Sequence, residues 1–116
     1  MISYEGRMFR PVVNSPNGQV TGETLFYYSQ SGDLVTVVYR GGGIKAGQMI
    51  GTVKSDGSIE TCYQHVTVAG ELRSGFCLSR PVFLESGRLQ LHESWRWTYP
   101  EISEGTSVIE EVPSAN

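Results

Sequence analysis

Residues 59–97, IETCYQHVTVAGELRSGFCLSRPVFLESGRLQLHESWRW, carry three β-rich runs separated by Ala69-Gly70 and Ser86-Gly87. Glycine tolerates the positive φ that tight hairpin turns demand, so each dipeptide predicts a reversal between antiparallel strands. Two-residue loops would set Tyr63 opposite Phe76, His65 opposite Ser74 and Thr61 opposite Leu78 in the first hairpin. In the second they would set Phe76 opposite Trp97, Leu78 opposite Trp95, Val82 opposite Leu91 and Leu84 opposite Leu89. Both hairpins then select one inner face: Ile59, Thr61, Tyr63 and His65, with Leu72, Phe76, Leu78, Val82 and Leu84, and with Leu89, Leu91, Trp95 and Trp97. Pro81 cannot donate to a ladder and marks the place where a bulge would shift the second register.

The same punctuation extends outward. TLFYYSQ and DLVTVVYR flank Ser31-Gly32, grouping Phe26 and Tyr28 with Val35, Val37 and Tyr39. Gly41-Gly42-Gly43 and Asp56-Gly57 bound IKAGQMIGTVKS. No stretch keeps helical i, i+3, i+4, i+7 spacing over a useful length. With strands in YEGRMFRPVV and TSVIEEV, the expectation is an all-β fold of about eight antiparallel strands. Such a meander hides its edges by closing into an up-and-down, lipocalin-like barrel. Asn14–Gly22 and Tyr99–Gly105 read as polar loops, and Pro113–Asn116 as a frayed tail.

The 116 residues suffice for a single domain, 1–116. Nine Lys+Arg against twelve Asp+Glu leave a net charge of −3, which gives no basic surplus for nucleic acid. No apolar run approaches the roughly 18 residues of a membrane helix, and MISYEGRMFR has no signal-like stretch. A cytoplasmic location is the expectation. Cys62 and Cys77 are too few for a disulfide framework and lack metal spacing; the two-residue register makes them cross-strand neighbours on the outer face. Arg40-Gly41-Gly42-Gly43 precedes a strand-like run, so it reads as a hairpin turn and not a phosphate loop.

Several polar groups fall on the expected interior. Arg80 lands opposite Glu93, and a guanidinium and a carboxylate in low dielectric must pair or shift their pKa values. The pair is either a structural cross-strand bridge or an anchor for a ligand carboxylate or phosphate, with Glu93 and Tyr63 orienting it. Trp95, Trp97, Phe76, Tyr63, Tyr28 and Tyr39 either fill the barrel or form the wall of a ligand site. His65 is the single inward histidine, since His92 shares the outer face with Gln90 and Arg96.

YEGRMFRPVVNSPNG at the start, IGTVKSDGSIETCYQHV in the middle, and ELRSGFCLSRP followed by GRLQLHESWRWT resemble, nearly end to end, a family of small bacterial proteins with a barrel fold. Members often carry the label N-acetylglutamate synthase. That label implies acetyl transfer from acetyl-CoA to glutamate, on a fold with helices and an Arg/Gln-x-x-Gly-x-Gly/Ala pyrophosphate loop. The nearest candidate here begins at Arg40 and puts Lys45 at the last small position. In strand count and hairpin order the barrel is similar to the calycin group, although Tyr4-Glu5-Gly6-Arg7-Met8 stands where lipocalins carry Gly-x-Trp.

The sequence therefore points to a barrel that binds a small anionic or aromatic molecule, through Arg80, Glu93, Tyr63, His65, Phe76, Trp95, Trp97 and Tyr28. No cofactor, metal or catalytic residue is expected, and the chain is read as a monomer or homodimer. The second reading is an interaction or dimer module with a filled barrel, using Met49, Val53 and Leu25 on the outer face. The third is an enzyme with Glu93 or His65 as general base.

Overall fold

A computed structural model describes residues 2–14 and 23–113. Eight strands run in chain order: β1 (Met8–Asn14), β2 (Leu25–Ser31), β3 (Leu34–Gly41), β4 (Ile44–Val53), β5 (Ile59–Thr67), β6 (Leu72–Phe83), β7 (Leu89–Tyr99) and β8 (Ser103–Glu111). Each pairs antiparallel with the next, and β1 pairs with β8, closing an up-and-down barrel. Closure removes both sheet edges, which an open meander would leave exposed. Most of the polar loop expected at Asn14–Gly22 and the end of the expected tail lie outside the described residues, and Asn14 itself ends β1. Tyr99–Gly105 is mostly strand, because β7 continues to Tyr99 and β8 starts at Ser103.

The two ends of the barrel differ. One is closed by the segment before β1: Tyr4 is completely buried, takes a bond from its N–H to Gln30 Oε1 (2.8 Å), and donates its hydroxyl to the Gly57 carbonyl (2.5 Å). Around it Phe9, Val35, Ile59, Leu89, Leu91 and Ile109 form a dry apolar layer. The other end carries the turns after β3, β5 and β7, and the side chains there are aromatic and polar.

The registers differ from expectation in an instructive way. The turns after β4, β5 and β6 hold three residues, each ending in a glycine at positive φ (Gly57 88°, Gly70 84°, Gly87 87°). After β5, Gly70 N–H bonds to the Thr67 carbonyl and Thr67 N–H to the Glu71 carbonyl, both at 2.8 Å. One added loop residue moves a pairing by one and turns a strand over. Tyr63 consequently faces Gly75, His65 faces Arg73, and Glu93 faces Ser79. β5 and β7 keep the faces expected of them, and β6 is inverted, as is β4, whose Met49 and Val53 were expected outside. Leu72, Phe76, Leu78 and Val82 point outward, whereas Arg73, Gly75, Cys77 and Ser79 point inward. Leu84 lies in the turn beyond β6. The Ser31-Gly32 reading slips by two residues, which preserves the face: Tyr28 pairs with Val37, and Phe26 with Tyr39.

Several expectations fall with β6. Arg80 is exposed, stands opposite His92, and forms no pair with Glu93. Phe76 is 55% exposed and contributes nothing to the interior. Cys62 pairs with Phe76 and is exposed, while Cys77 pairs with Thr61 and Trp95 and is buried, so the two thiols lie on opposite faces. Pro81 causes no bulge; pairing with β5 ends at Ser79, so it sits where β6 has a single neighbour. Met49 and Val53, expected outside, are buried in the core, and Leu25 is half-buried.

Candidate ligand-binding site in the barrel

The interior above the apolar layer is built from alternate residues of five strands. β3 supplies Tyr39, β5 supplies Tyr63 and His65, β6 supplies Arg73, Cys77 and Ser79, β7 supplies Glu93, Trp95 and Trp97, and β8 supplies Ser107. Gly75, between Tyr63 and Trp97 in the ladder, has no side chain to fill the space between their rings. The closed-end residues Phe9, Leu89, Leu91 and Ile109 are 0% exposed, whereas Tyr63 keeps 8%, Glu93 7% and Trp97 6%. Tyr63 and Trp97 stand toward the end that carries the turns after β3, β5 and β7.

Toward that end, flat surfaces and hydrogen-bond donors converge. Trp95 and Trp97 stack with ring centroids 5.6 Å apart, and the Arg73 guanidinium lies over Trp97 at 4.8 Å from the ring centroid. Tyr63 and His65 stack almost parallel at 6.2 Å. Tyr39 Oη lies 2.8 Å from His65 Nδ1. Burial raises the Tyr39 pKa and lowers that of His65 to about 4, so the phenol keeps its proton and the imidazole is neutral. The phenol can also donate to the Gln64 carbonyl at 3.5 Å, so the tautomer sets which of Oη and Nδ1 donates to the other and whether Nε2 carries the imidazole proton.

Among the described residues, four buried side-chain polar atoms meet no hydrogen-bond partner: His65 Nε2, Tyr63 Oη, and Arg73 Nε and Nη1. Arg73 Nη2 donates to Glu71 Oε1 at 3.3 Å, and Nη1 comes within 4.0 Å of Glu101 Oε1, an ionic contact too long for a hydrogen bond. Leaving a buried donor unsatisfied costs about 1–3 kcal/mol, and more for a charged group. Two guanidinium nitrogens, one imidazole nitrogen and one hydroxyl in this condition lie toward one end of the barrel, where an acceptor-rich group would satisfy the guanidinium donors.

Glu93 lies deeper. Its Oε1 accepts from Ser107 Oγ at 2.8 Å; its Oε2 has only the longer contacts of Ser79 Oγ (3.4 Å) and Cys77 Sγ (3.8 Å). Burial raises its pKa from 4.5 to about 7, opposed by those hydrogen bonds. Among the described residues no Lys or Arg forms an ion pair with it.

Of the residues singled out from sequence, the barrel brings Tyr63, His65, Glu93, Trp95, Trp97 and Tyr28 inside and leaves Arg80 and Phe76 outside. Arg73, Cys77, Ser79 and Ser107 were missed. The signal for the three on β6 was the position of Gly70: a glycine closing a three-residue loop turns β6 over and brings Arg73, Cys77 and Ser79 in.

A closed eight-stranded antiparallel barrel, plugged at one end and polar at the other, defines a calycin-type small-ligand barrel as a class. Within that class, residues 2–112 match the family described as avidin-like protein, and the chain belongs to that family. No curated protein and no solved structure matches it.

Proposed function

We propose that the protein binds a small anionic molecule with a flat or apolar body inside its barrel, at the polar end. Arg73, His65 and Tyr63 hold the ligand's acceptor oxygens, and Trp95 and Trp97 form the wall. The observation that carries this reading is the set of four buried polar atoms without hydrogen-bond partners. Avidin-like barrels bind small ligands such as biotin, which supports the general role and assigns no ligand to this chain. Arg73 takes the anchoring part expected of Arg80. Its Nε and Nη1 lie on different edges of the guanidinium, so each offers a separate charge-assisted hydrogen bond to a ligand oxygen.

Native mass spectrometry of gently purified protein tests the reading. A reproducible mass above 12.8 kDa per chain, lost in Arg73→Gln but kept in Arg80→Gln, is the expected result. A bare chain, or an excess mass indifferent to Arg73, would overturn it.

A second reading has its own observation. Val38, Ile50, Phe76 and Leu78 expose 41–57% of their surface on the outside of the barrel. Such an outer face suits a second copy of the chain. The expected sign is an apparent mass that rises with concentration and falls again in Phe76→Ser; a constant monomer mass would remove this reading.

A further inference from the structure

Among the described residues, Glu93 is a buried carboxyl that the proposed anion site leaves unused. A carboxyl buried this deeply ordinarily faces a cation or a metal. Its surroundings hold neither among the described residues. Ser79 and Cys77 of β6 and Ser107 of β8 make its contacts, and no group of three or more metal-ligating side chains occurs there. The titratable groups that act on it or feel its charge are Tyr28 of β2, Tyr39 of β3, Tyr63 of β5 and Cys77 of β6, every one neutral when protonated. The interior thus has two poles of opposite character on one apolar wall: polar atoms without partners at Arg73, His65 and Tyr63, and an under-bonded carboxyl Oε2 further in.

We propose that this site takes small aminocarboxylates, with the ligand's carboxylate at Arg73 and its protonated amine at Glu93. The inference rests on the anion-binding reading above and adds the ligand's second charge. Six residues of β6 separate Arg73 from Ser79, the cross-strand partner of Glu93, which is about 20 Å between Cα atoms at 3.3 Å per residue. The side chains shorten that gap along the strand, since the Arg73 guanidinium lies over Trp97, the partner of Gly75, and Glu93 Oε2 reaches Cys77 Sγ, so the two ligand charges sit several bonds apart with an apolar spacer between them. An ammonium placed at Oε2 stabilises the carboxylate form. At slightly acid pH, where free Glu93 is largely protonated, binding therefore releases a proton from it.

The probes are linear ω-amino carboxylates of four to eleven carbons and the unsubstituted carboxylates of the same lengths, titrated calorimetrically into the full chain at pH 8. At one or more lengths the amino carboxylate should bind at least tenfold more tightly than its unsubstituted counterpart, and Glu93→Gln should bring that ratio close to one. Should Glu93→Gln fail to fold, the wild-type protein at pH 6 in two buffers of different ionisation heat gives the second measurement. Proton release is expected with the amino series and not with the plain series. Plain carboxylates that bind through Arg73, with no gain and no proton release from the amine, would sink the two-pole site and leave the anion site standing. Failure of both series to bind would sink both.

Discussion

At neutral pH the interior holds a carboxyl whose pKa of 4.5 has risen to about 7 and an imidazole whose pKa of 6.5 has fallen to about 4. For Glu93 the unfolded chain ionises first as pH rises, so the folded state loses stability between about pH 4.5 and 7 and the loss is complete above that. The size is roughly 3 kcal/mol at 1.36 kcal/mol per pKa unit. For His65 the unfolded chain takes up its proton first as pH falls, so stability is lost from about pH 6.5 down to 4. The two slopes oppose each other over the shared window. Urea unfolding across pH 4.5–7.5 should therefore show a shallow profile in the wild type. Glu93→Gln should show stability that rises with pH, and His65→Gln stability that falls. Parallel profiles in both variants would contradict the burial of these groups. The thiols give a separate check: Ellman's reagent should titrate one thiol per native chain, Cys62, and reach Cys77 only on unfolding. Two fast thiols would mean that β6 is not inverted.

Strand existence and order were legible in the spacing of glycines, because glycine marks turns whatever their length. The faces of β2, β3, β5 and β7 were legible from apolar alternation. β6 was not, because its alternation runs backwards: Leu72, Phe76, Leu78 and Val82 face solvent, and Arg73, Cys77 and Ser79 face the core. A strand whose pattern contradicts its orientation is where local rules give way to function. β6 is also shared by both hairpins, so one extra residue in each loop turns it over while leaving the faces of β5 and β7 as they were. Gly75 is the pivot of this strand. A Cβ there would lie 2.0 Å from the Arg96 carbonyl oxygen on β7, so Gly75→Ala must push the strands apart. Overpacking of this kind costs about 1–3 kcal/mol. Chemical denaturation should register that loss, and an unchanged midpoint would show that the strands lie further apart than this. At the closed end, Tyr4→Phe strands the Gly57 carbonyl, worth about 1 kcal/mol, whereas Tyr4→Ala opens a cavity worth about 3–5 kcal/mol.

As a whole molecule the barrel separates its tasks by height. The lower layer holds the apolar groups that stabilise the fold, and the upper layer holds charges and polar atoms without partners, whose burial costs stability and which the proposed ligand would satisfy. Ligand binding to the folded state alone raises stability by mass action, so thermal midpoints should climb with added carboxylate in the wild type. Arg73→Gln should remove that climb. The ends of the described chain meet at the lower layer: Val112 N–H bonds to the Met8 carbonyl at 2.7 Å, and Arg7 grips Glu111 through both carboxylate oxygens at 2.8 and 2.9 Å. That seam makes the order of the strands around the cylinder independent of where the polypeptide is interrupted. A circular permutant, with a short linker from Val112 to Ile2 and new termini at Ser86-Gly87, would keep every strand pairing and carry its cut at the end remote from the ligand.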